Sequence, residues 1–146
     1  METRTGSGPA HWEHLHHDAD IGLRGCGASL AEAFEQAALA LTAVVCHPQR
    51  VLCVDRVDIH CESPDPETLF VKWLNALIYE SATRKVLFGR FRVTITEGTL
   101  DARAWGEPID RDRHQPAAEP KGATYTGLRV EHAAGGCWTA ECVIDV

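Results

Sequence analysis

The chain has 146 residues, 45% of them apolar, with 21 acidic against 14 basic side chains and a formal net charge of −7. That size suits one domain with its own core, and the apolar share excludes long disorder. No apolar run approaches a membrane span, and a protein that grips RNA by itself would carry a basic face, which this acidic balance argues against.

The opening "METRTGSGPA" lacks the apolar stretch of a signal peptide and reads as a flexible lead-in through residue 11, ahead of a single domain over 12–146. A cytoplasmic protein is therefore expected. Cys26, Cys46, Cys53, Cys61, Cys137 and Cys142 form no CxxC pair and are expected as free thiols.

Residues 12–26 alternate as one strand. Leu15, His17, Ala19 and Ile21 point one way, and His14, His16, Asp18 and Asp20 the other. Gly22, Gly25 and Gly27 suggest a bend or bulge near its end. Ser29 followed by Glu32 makes a capping box for a helix over 30–45. Its core face is Leu30, Ala33, Phe34, Ala37, Ala38 and Leu41, and Pro48 closes it. Residues 51–62 alternate as a strand. Asp65 caps and Pro66 opens a second helix, which carries Leu69, Phe70, Trp73, Leu74, Leu77 and Ile78 on one face. Strands over 86–96 and 99–105 flank the turn Glu97-Gly98. The proline-rich "GEPIDRDRHQPAAEP" is a loop, long enough to suggest a functional role. Strands over 121–131 and 137–145 form a last hairpin around "AAGG". The expectation is an α+β domain with two amphipathic helices on mostly antiparallel sheet.

Three chemistries are open to these residues. His14 and His16 share a strand face, as zinc ligands would, but neither an HExxH helix nor a Cys pair accompanies them. Cys26 in "GCG" has nothing near it in sequence to activate a nucleophile. No GxSxG elbow, P-loop or dinucleotide fingerprint is present. Asp18 and Asp20 lie roughly 6–7 Å apart by strand rise, and the chain ends in Asp145 and Val146, whose terminal carboxylate adds a charge. If the last strand pairs beside the first, three or four carboxylates converge. They would repel unless a cation or a basic side chain neutralised them, and all-oxygen ligands select calcium, magnesium or manganese. A solvated tail with two surface aspartates is the plainer reading of the same spacing.

A resemblance covers most of the chain. "WEHLHHDADIGLRGCGASLAEAFEQAALALTAVV" resembles the opening of the archease family. "LFVKWLNALIYE", "GEPID", "KGATYTGLRV" and the terminal "VIDV" follow in family order. Asp18 stands where the family usually has Thr, and Thr126 where it often has His. The resemblance implies an accessory protein, not itself an enzyme, for the GTP-dependent RNA ligase of tRNA splicing and RNA repair. That ligase joins 2′,3′-cyclic-phosphate or 3′-phosphate ends to 5′-hydroxyl ends. The accessory role is to promote the ligase's guanylylation and multiple turnover. The resemblance also implies partner activation by Asp20, Lys121 and Asp145, and a divalent metal, calcium foremost, on Asp20, Asp145 and the terminal Val146, with Asp18 a possible addition. His17 matches a family histidine and is read as an inward packing residue. A general chaperone or interaction module, or a small metal-dependent hydrolase, are the alternatives. No strong direct contact with nucleic acid and none with membrane is expected.

Overall fold

A computed structural model describes residues 10–146 apart from Asp18, with the backbone alone at His17. Strand β1 (His11–His17) pairs antiparallel with β2 (Asp20–Gly27), His17 opposite Asp20. The single strand expected over 12–26 is thus a hairpin with a two-residue connection. Leu15 lies opposite Gly22, and His14 opposite Leu23, so the turn exchanges the faces. His14 lies on the inner side, where its Nε2 is 2.8 Å from the Ala40 carbonyl. Hydropathy misassigned β1 because its most apolar residue, Leu15, sits on the outer face, while the exposed His14 shares the inner face with Leu23. The expected inward role of His17 rests on a side chain outside the described residues.

Helix α1 (Leu30–Val45) starts as its capping residues dictate. Ser29 Oγ accepts from Glu32 N at 3.1 Å, and Glu32 reaches back to Ala28 N at 2.7 Å. It packs directly onto β2, where a Cβ at Gly25 would collide with the backbone of Ala33 and Ala37. Helix α2 (Pro66–Arg84) is capped by Asp65, which accepts from Thr68 N at 2.8 Å, and opens on Pro66. Both helices bury the faces expected of them. Phe34, Phe70, Trp73 and Leu74 are fully enclosed, and Trp73 Nε1 donates to the Phe34 carbonyl at 3.0 Å.

Two antiparallel sheets enclose this helical layer. In the first, β2 also pairs with β8 (Trp138–Asp145), Ile21 opposite Ile144. The far edge of β8 takes two short strands, β6 (Gly122–Ala123) and β7 (Arg129–His132), where a single strand over 121–131 was expected. The second sheet runs β3 (Asp55–Glu62), β5 (Thr99–Pro108), β4 (Val86–Thr96). Helix α1 touches β2 and β8 on one side and β4 on the other. Helix α2 touches β3 and β4, and also β6 and β7. The long loop is less irregular than its prolines suggest. Strand β5 continues to Pro108, and one helical turn, α3 (Arg111–His114), follows. The result is the α+β domain expected, with 115–120 as a strap without regular structure leading to β6.

Candidate functional site

The pairing of β2 with β8 brings the two ends of the described chain together. Asp20 and Asp145 each stand one residue beyond the registered pair Ile21–Ile144, on neighbouring antiparallel strands. Continuing that register sets them opposite one another. Alternation then fixes their face: Leu23 and Ile144 are fully buried, so Asp20 and Asp145 project from the sheet's outer side. Asp145 is exposed and Asp20 half-buried. Directly opposed carboxylates repel, and such a pair is costly unless something positive stands near it.

Lys121 comes to this edge from the other flank of β8. Gly122 pairs with Asp145, and the Lys121 backbone N–H donates to the Asp145 carbonyl at 2.8 Å. Two further contacts hold the segment. Asn75 of α2 accepts from Ala123 N at 2.8 Å, and Thr124 Oγ1 donates to the Val143 carbonyl at 2.9 Å. The lysine side chain itself is exposed. Asn75 is a positioning residue that sequence reading missed, because a polar residue on the exposed face of a helix carries no local signal of a strand it will meet.

Val146 is half-buried and packs against the main core, so its side chain anchors the end of β8. Asp18 lies outside the described residues. Among the described residues, no group of three or more His, Cys, Asp or Glu side chains is placed to hold a metal ion. Two adjacent carboxylates have the right chemistry for a hard cation but fill only part of the six to eight oxygen positions that calcium takes.

The remaining sequence candidates separate. His14 and His16 are on the face opposite Asp20, so they do not join the carboxylates. Cys26 is a buried thiol, and burial pushes it up from its ordinary value against a weak hydrogen bond to Thr139, the reverse of an activated nucleophile. All six cysteines are free, and burial raises Cys142 to about 12.

"GEPID" encodes a second polar centre, whose role sequence reading left unassigned. Glu107 is buried and accepts from Leu52 N at 2.7 Å, from the Arg113 guanidinium, and from His114 Nε2 at 2.9 Å. His114 is fully buried. Its Nδ1 accepts from Asp110 N at 2.8 Å, which leaves Nε2 as the donor to Glu107. Burial pushes the Glu107 carboxyl up, but the donors from Arg113, Leu52 and His114 outweigh it and hold the group at about 2. Asp110 caps α3 through Asp112 N and Arg113 N. The motif thus fastens β5 to α3 and to the segment before β3, at the start of the strap that leads to Lys121.

Comparison with known proteins decides the lineage. The model of the archease protein family matches residues 12–146. The chain is 37% identical over 139 residues to protein archease of Pyrococcus furiosus, covering 92% of this chain and 98% of that one. It is 38% identical to protein archease of Thermococcus gammatolerans over the same shares. The chain belongs to the archease family. A solution structure of a Methanobacterium thermoautotrophicum protein superposes with a TM-score of 0.81 at 29% identity, over 92% of this chain and 98% of that one. A crystal structure from Thermotoga maritima, described as an archease and possible chaperone, shares the fold with a TM-score of 0.63 at 19% identity, over 90% of this chain and 94% of that one. In this archease, then, Asp20 at the start of β2, Asp145 at the end of β8 and Lys121 at the entry to β6 come to one end of the same sheet. No described helix is long and apolar enough to cross a membrane.

Proposed function

We propose that this archease activates a GTP-dependent RNA ligase that joins 2′,3′-cyclic-phosphate or 3′-phosphate ends to 5′-hydroxyl ends. It promotes guanylylation of the ligase and its multiple turnover, and is an accessory protein rather than an enzyme. The observation that carries this reading is the junction of β2, β8 and β6. It brings Asp20, Asp145 and Lys121 from distant parts of the chain to one end of the sheet.

Those three side chains suit an activator better than a catalyst. Two carboxylates and one amine supply charge. Projecting from a protein edge, they can enter a partner's active site and bind one of its states more tightly than another, which is what activation requires. Asp20, Asp145 and the terminal oxygens of Val146 would hold a divalent cation, calcium foremost as the family resemblance implies, with magnesium or manganese suited to the same oxygen donors. Bound there, the ion would neutralise the opposed carboxylates. Lys121 would meet a phosphate or carboxylate of the ligase as a point charge on a long stem.

The test is GMP transfer from GTP to a cognate ligase, followed at limiting ligase with and without this protein. Faster transfer and more than one ligation per ligase molecule are expected. No change in either sinks the proposal. Turnover of GTP, ATP or phosphate esters by this protein alone would establish the hydrolase alternative instead.

A further inference from the structure

The strap at 115–120 walls one side of a groove of about 630 Å³. Its other walls are Leu41 and Val45 of α1, Ile78 and Ala82 of α2, and Phe91 of β4. The hydroxyls in this lining are already engaged: Thr42 Oγ1 donates to the Phe88 carbonyl at 2.7 Å, and Ser81 Oγ to the Val86 carbonyl. The groove interior therefore offers apolar contact and little hydrogen bonding, the usual make-up of a binding cleft.

Its charged lining residues are the exposed Lys85, Arg111 and Glu119, two cations to one carboxylate, whereas the chain as a whole carries −7. Among the described residues, no carboxylate forms an ion pair with Lys85 or Arg111. Lys85 has a further peculiarity. It ends α2 in the left-handed conformation, with φ of 57°, at the position where glycine is the ordinary occupant. A lysine kept there carries a backbone cost that glycine would avoid, which points to use of its side chain.

We infer that this groove docks an apolar segment of the partner protein that carries carboxylates beside its apolar side chains. The apolar groups fill the cleft against Ile78 and Phe91, and the carboxylates meet Lys85 and Arg111. The inference rests on the activator reading above, which supplies the protein partner. It adds a second contact whose wall, the strap, runs directly into Lys121.

The experiment measures binding of the cognate ligase by calorimetry at low and high salt, alongside melting curves. Lys85→Gly removes the charge and relieves the backbone, so the melting temperature should hold or rise while affinity falls about fivefold, most clearly at low salt. Ala82→Trp alters an exposed wall residue and fills the cleft, so it should weaken binding further without loss of fold. Wild-type affinity in both variants overturns the groove and leaves the activator reading standing. Failure of the unaltered protein to bind ligase at all overturns both. A fall in melting temperature that accounts for the lost binding of Lys85→Gly would assign the residue to helix capping and overturn the inference. So would a change in self-association by ultracentrifugation with ligase binding intact, since the occupant would then be a second copy of this chain.

Discussion

The Lys121 backbone N–H donates to the Asp145 carbonyl at 2.8 Å, so the two residues share one strand pairing while their side chains stay free of it. The distinction governs how variants at this edge behave. Neither side chain is needed for the backbone bond, and both are exposed. Truncating either should leave β6 paired with β8. A change in function would then report chemistry at the edge rather than loss of the strand.

Asp20→Ala and Asp145→Ala should each weaken calcium binding by on the order of tenfold or more, because affinity follows the number and charge of the oxygen ligands. Calorimetry on the two variants reads this directly. Calcium affinity unchanged in both would remove the proposed ligand set. Weakening in Asp145→Ala alone would mean that Asp20 is not a ligand and that its charge does not reach the ion.

Much of the framework was legible in the sequence because its signals are local. Ser29 with Glu32 and Asp65 with Pro66 mark helix starts within a turn, and the apolar spacing of Phe70, Trp73, Leu74 and Leu77 names the core face directly. The pairing of His17 with Asp20 escaped because no Gly or Asn marks a turn between them and the alternation of residue types runs through. That error put His14 on the same face as Asp20. The carboxylate pair was visible as two separate ends that would meet if the first and last strands paired. What could not be read was the long-range support: Asn75 reaching Ala123, and Glu107 reaching Leu52 and His114. Those contacts depend on which segments the folded chain brings together, and no residue type or spacing announces them.

Asp18→Thr should keep ligase activation within a few fold of the unaltered protein. The archease family generally carries Thr at this place, so the site is expected to form without a carboxylate there. The same GMP-transfer assay settles it. Complete loss of activation would show that this chain builds its edge around Asp18.

Glu107→Gln should destabilise the fold by about 2–4 kcal/mol at neutral pH, since it removes a buried charge that answers the Arg113 guanidinium and turns an acceptor into a donor facing His114. Urea unfolding measures this. The pH dependence follows from the direction of the shift. The folded carboxyl sits at about 2, below its ordinary 4.5. Its contribution is therefore complete above the ordinary value and is lost as the pH falls toward the folded one. Stability of the unaltered protein should decline through that window more steeply than stability of Glu107→Gln. Parallel curves would show that folding does not shift this carboxyl.

Lys121→Ala should abolish ligase activation while leaving the melting curve and the calcium titration nearly unchanged. The backbone of residue 121 is held by Asp145 and its neighbour by Asn75, so the strand does not depend on the amine. As a plain surface charge the side chain would be worth at most about 1 kcal/mol, and its loss would change every measurement slightly. As a contact to a phosphate or carboxylate of the ligase, its loss would change one measurement greatly. Lys121→Arg separates charge from position. It keeps the positive charge but replaces a compact ammonium with a planar fork. Partial activity in Lys121→Arg would mean the ligase senses the field at this edge. Full loss would mean that it needs an amine at one point. Wild-type activation by Lys121→Ala would remove Lys121 from the site and leave the carboxylates to act alone.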